Sequence, residues 1–114
     1  MLVKVPFNPS EDDCDLAYGQ LPDDVQDTYN SAVIGANTDP SKFASLAKLV
    51  QDIAADPDIE DVAKRTFQKC FWKKAVQSGK ATVAQAVAAV PSLAPVLGGG
   101  ALMEGAEGGG FTQT

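Results

Sequence analysis

Asp-Pro occurs twice in this chain, at 39–40 and 56–57, and each time a run with helical period follows it. An aspartate side chain can accept from the free amides of a first helical turn. A proline in the next position forfeits an N–H that would have no partner there. After the first pair, Phe43, Leu46, Ala47, Val50, Ile53 and Ala54 recur at helical spacing and form one stripe. After the second, Asp58, Glu60 and Asp61 place negative charge near a first turn, where the helix dipole favours it. That helix runs to about Ser78, with Gly79 as its C-terminal stop and Lys73, Lys74 and Lys80 at the negative end of the dipole. Thr82 and Gln85 have the spacing of a capping box and open a further short helix that Pro91 ends or kinks. Pro22 opens an earlier one, with Val25, Tyr29, Ala32 and Val33 on one side and Gly35 as the stop.

These signals predict an all-α fold, a small bundle of three to four short helices near 22–34, 40–55, 57–78 and 82–90. The expected core is Val25, Phe43, Leu46, Val50, Ile53, Val62, Phe67 and Phe71. A chain of 114 residues supports one such core and no more. The expected organisation is an acidic N-terminal arm over 1–19, a helical domain over 20–90 and a Pro/Gly-rich C-terminal tail over 91–114. Residues 2–7 alternate like a strand too short to stand alone. Asn8-Pro9-Ser10-Glu11 resembles a helix start, and the acids after it predict a short, solvated helix. Seven glycines within 98–110 make a tract whose ordering is expected to need a partner.

The net charge of −6 conceals a division along the chain. Residues 1–61 carry three lysines against thirteen carboxylates, whereas 62–80 carry six cations and no acid. Such a chain either folds its acidic part onto its basic helix or shows partners two faces of opposite sign. Met1 is followed by Leu-Val-Lys-Val-Pro-Phe, neither a basic leader nor a long apolar run, so synthesis in the cytoplasm is expected. Cys14 and Cys70 belong to no Cys-x-x-Cys pair, and in a cytoplasmic chain two reduced thiols are expected.

Candidates for chemistry are few. There is no histidine, and the carboxylates fall where loops and first turns explain them. Asp56, Asp58 and Glu60 resemble the start of a calcium loop, but Asp61 stands in place of its glycine and Phe67 in place of its bidentate acid. The triple glycine at 98–100 lacks the lysine and hydroxyl of a phosphate loop. No enzyme activity, cofactor or metal is therefore expected.

The helix over 57–78 is sharper. Helical spacing puts Ile59, Val62, Ala63, Phe67, Cys70 and Phe71 on one broad side, and Arg65, Gln68, Lys69, Trp72 and Val76 on the other. A tryptophan among cations either packs against the chain's own N-terminal segment or anchors a partner. The function expected is that of a non-catalytic structural or assembly subunit, of the kind found as minor components of phage virions. Its expected partners are other protein subunits, copies of itself included. Phe7, Arg65, Lys69, Trp72 and Phe111 are its candidate partner-binding residues. Two alternatives stand beside it: a nucleic-acid-associated protein using the basic helix 62–80, against which a pI near 4.4 counts, and a membrane-active protein using the apolar segment 81–103.

Overall fold

The computed structural model describes residues 4–98, and among them there are six α-helices and no strand. They are α1 (Glu11–Gly19), α2 (Asp23–Thr38), α3 (Phe43–Ala55), α4 (Asp61–Gln77), α5 (Val83–Ala89) and α6 (Ala94–Gly98). The all-α class holds, with more helices than the three to four expected.

The helix ends show why. Asp39 caps as anticipated, its Oδ1 accepting from Ser41 N at 3.1 Å and Ser41 Oγ at 2.7 Å, but the first turn, Pro40–Lys42, is 3-10 before α3 begins. Gly35 does not stop α2, which runs on to Thr38, whose hydroxyl donates to Ile34 O at 3.0 Å. Asp56 turns its carboxylate to Asp58 N at 2.9 Å and closes a local turn, so α4 begins at Asp61 rather than 57. At the other end Gly79 takes φ +77°, and the amides of Gly79 and Lys80 donate to Val76 O and Ala75 O. This is a Schellman stop, with glycine in the one place where a left-handed backbone is required. Thr82 and Gln85 form the reciprocal capping box at α5.

Two corrections concern the ends. α1 is not merely solvated: a Ser10–Asp13 capping box starts it, and Cys14 and Ala17 bury against the body. α5 ends at Ala89, before Pro91 as expected, but the chain then resumes helical structure through a 3-10 turn at Pro91–Leu93 and α6, with Leu93, Val96 and Leu97 in the core. Pro91 and Pro95 permit this because each lies in a first turn, where the missing N–H costs nothing.

α4 is the central element, packed by α1, α3 and α5. Of the expected core, Leu46, Val50, Ile53, Phe67 and Phe71 are buried, while Val25, Phe43 and Val62 pack partly buried against it. An aromatic cluster joins the elements. Phe43 stacks on Phe71 at 6.0 Å, Trp72 meets Phe71 edge-on at 5.1 Å, and Tyr29 meets Phe67 edge-on at 4.8 Å. Because α4 is enclosed on several sides, a single apolar stripe did not describe it, and Trp72 is buried rather than set apart on an outer face.

The cysteines overturn the reduced-thiol expectation. Cys14 of α1 and Cys70 of α4 form a disulfide across 56 residues of sequence, with Cα atoms 5.8 Å apart. The pairing depends on α1 docking along α4, which no spacing rule reveals.

Candidate functional site

The cations of α4 face the chain's own N-terminal segment. Lys69 Nζ donates to the carbonyls of Pro6 at 2.8 Å and Phe7 at 3.1 Å, and lies 5.9 Å from the centre of the Phe7 ring. One turn on, Lys73 Nζ donates to Asn8 Oδ1 at 2.6 Å and Pro9 O at 2.9 Å. Lys74 pairs with Glu11 Oε1 at 3.1 Å. Pro9 is fully buried. The segment thus follows α4 from Lys69 to Lys74, and α1 returns along the helix to the disulfide at Cys70.

This is the self-folding outcome of the charge division, with a difference in chemistry. Most of the acceptors are carbonyls, not carboxylates, so they satisfy the lysine donors and leave the positive charge uncancelled. Burial holds the Lys69 ammonium below the usual lysine range. Burial does the same to Lys73, where nearby Glu11 opposes the shift and Lys74 adds to it.

Behind the pinned segment lies an open groove of about 980 Å³. Lys4, Val5, Pro6 and Phe7 form one wall; Asp61, Lys64, Arg65, Gln68 and Lys69 of α4, with Ala54, form the floor; Ala89, Val90, Pro91 and Ser92 form the far wall. Four cations and one carboxylate line it. Lys64 Nζ donates to Asp56 O at 2.7 Å, tying α4 to the preceding turn. Asp61 and Arg65 make an exposed i,i+4 pair at 2.8 Å, an arrangement worth only about 0.3–0.5 kcal/mol and open to exchange with another anion.

The structure gathers three of the five candidate partner-binding residues here. Phe7 is 65% exposed at the lip, Arg65 is exposed on the floor, and Lys69 is buried beneath the segment. Trp72 lies apart, in the core against Phe43 and Phe71, and Phe111 lies outside the described residues. Lys64 was expected only as part of the basic helix 62–80, in the nucleic-acid alternative. Lys4 and Pro91 were not anticipated and reach the site only through tertiary packing.

Lys69 donates to two backbone carbonyls, and Cys14 and Cys70 are joined in the disulfide. Among the described residues no three of His, Cys, Asp and Glu gather as a metal site, and no helix is long and apolar enough to cross a membrane. What the arrangement supplies is a fixed positive surface beside an exposed aromatic ring. No family model, curated protein or solved structure matches this chain.

Proposed function

We propose that this chain is a non-catalytic assembly subunit, a small helical body that joins a larger complex of the virion kind and meets its neighbours through the groove and its Phe7 lip. The observation that supports this reading most is the setting of Phe7. The backbone beneath it is pinned by Lys69, Lys73 and buried Pro9, yet its ring is 65% exposed. Such a ring gains little for the lone protein beyond its approach to the Lys69 ammonium, and gains most when a partner covers it, since aromatic anchors carry a large share of interface energy.

The disulfide fits the same reading. A chain made in the reducing cytoplasm keeps such a bond only after leaving that environment, and incorporation into a particle is one route out. The nucleic-acid alternative loses weight because Lys69, Lys73 and Lys74 are committed to residues 6–11. The membrane alternative loses weight because Ala86, Leu93, Val96 and Leu97 are spent on the protein's own core.

Sedimentation of the native preparation tests the proposal. The protein is expected in a complex of defined stoichiometry, and Phe7→Ser is expected to move it to the free fraction with its thermal unfolding unchanged. A native protein that sediments as a monomer contradicts the assembly role.

A further inference from the structure

We infer that the groove is a docking site for an acidic, extended segment of a partner protein, one that sets carboxylates beside an apolar side chain. The inference rests on the assembly reading and names the kind of partner that reading requires.

Charge is the first argument. The chain as a whole is at −6, yet among the described residues Lys4, Lys64, Arg65 and Lys69 converge on one groove against a single carboxylate, Asp61. Lys64 and Lys69 are bonded to carbonyls, so their positive field persists where a carboxylate partner would have cancelled it. Arg65 pairs with the exposed Asp61 and can turn its planar fork to an incoming carboxylate, a geometry that guanidinium satisfies with two parallel bonds. The local surplus attracts an acidic segment and aligns it.

Shape and polarity narrow the occupant. The groove is about 980 Å³ and partly open to solvent, at the upper end of small-molecule cavities, which leaves room for a length of chain. Val5, Phe7 and Pro91 supply apolar surface among the cations. The wall at residues 4–7 is not a strand, and two of its carbonyls already accept from Lys69, so recognition falls to side chains rather than to strand addition. A polyphosphate strand fits less well. The lysines that could have tracked its backbone beyond the groove, Lys73 and Lys74, are turned onto residues 8–11.

Fluorescence anisotropy on the full, disulfide-intact chain tests this, with three labelled probes: a peptide of alternating glutamate and phenylalanine, the same peptide with lysine for glutamate, and a single-stranded oligothymidylate. The acidic peptide is expected to bind, the lysine peptide not, and the oligonucleotide more weakly than the acidic peptide. Binding is expected to fall about tenfold in Arg65→Glu and in Lys4→Glu, since reversing one exposed charge places like charges together. Both side chains are exposed, and a thermal melt checks that each variant folds. Equal binding of the two peptides, tighter binding of the oligonucleotide, or unchanged affinity in both folded variants would overturn the inference. Self-association abolished by the same variants would overturn it too, by giving the groove to a second copy.

Sedimentation separates this failure from failure of the assembly reading. A native complex that survives Arg65→Glu and Lys4→Glu but is lost in Phe7→Ser removes the acidic occupant and keeps the assembly role.

Discussion

Two sides of α4 hold the molecule together by different means. Toward α2 and α3 the helix presents Phe67, Phe71 and Trp72 to Tyr29, Phe43 and Leu46, and the interface is apolar and aromatic. Toward residues 4–19 it presents Lys69, Cys70, Lys73 and Lys74, and that interface is a disulfide, an ion pair and lysines bonded to carbonyls around buried Pro9. The first kind of interface is stabilised by the area it removes from water. The second adds a covalent link and lysine hydrogen bonds that hold residues 6–11 in one register on the helix.

The comparison can be broken from either side. Phe71 is the largest fully buried side chain, and Phe71→Ala is expected to cost about 3–5 kcal/mol, measured by chemical denaturation. An effect below about 1 kcal/mol would mean that the aromatic side is not the core. The double change Cys14→Ala with Cys70→Ala removes a link spanning 56 residues and is expected to cost about 2–4 kcal/mol. Its signature is regional. Amide exchange should quicken in α1 and residues 4–9 more than in α3, whereas Phe71→Ala should quicken α3 and α4.

Tyr29 joins the two sides, with its ring 6.2 Å from Tyr18 of α1 and 4.8 Å from Phe67 of α4. Burial, aided by Tyr18, holds its phenol well above the usual tyrosine range. The folded state therefore keeps a proton that the unfolded chain releases above pH 10, the ordinary value for this group. Stability from this residue is full below pH 10 and lost as pH rises beyond it, at about 1.4 kcal/mol per unit. Tyr29→Phe should lack that part of the alkaline decline, and identical slopes above pH 10 would refute it.

The smallest effect sharpens the picture of the polar side. Thr66, one turn before Cys70, is fully buried and its hydroxyl has no hydrogen-bond partner among the described residues. Thr66→Val keeps the shape and removes the unpaired group, so it is expected to stabilise the protein by about 1 kcal/mol. A loss of that size would show that the hydroxyl is satisfied in solution.

The same contrast explains what the sequence made legible. The stripe from Phe43 to Ile53, the Thr82–Gln85 box and the glycine stop at 79 depend on residues within a few turns, and each appears where spacing puts it. Asp56-Pro57 misled because an aspartate that caps a helix and one that closes a turn offer the same oxygen, and only the path of the chain decides between them. Trp72 misled because one-stripe reasoning assumes a helix with a wet side, and α4 has little of one. Of the site, Phe7, Arg65 and Lys69 were visible as an aromatic and two cations. Their convergence, the disulfide beside them and the wall from Ala89 to Ser92 are products of tertiary packing.

The basic helix is turned onto the chain's own N-terminal segment, which becomes one wall of the groove. Nuclear Overhauser contacts between the Phe7 ring and the Lys69 side chain, measured on the oxidised protein, test it most directly. The structure predicts such contacts, since the ammonium lies 5.9 Å from the ring centre, together with Lys69 and Lys73 ammonium protons slow enough to observe. A Phe7 ring with no contact to Lys69, in a protein whose α3 and α4 are otherwise folded as described, would contradict it.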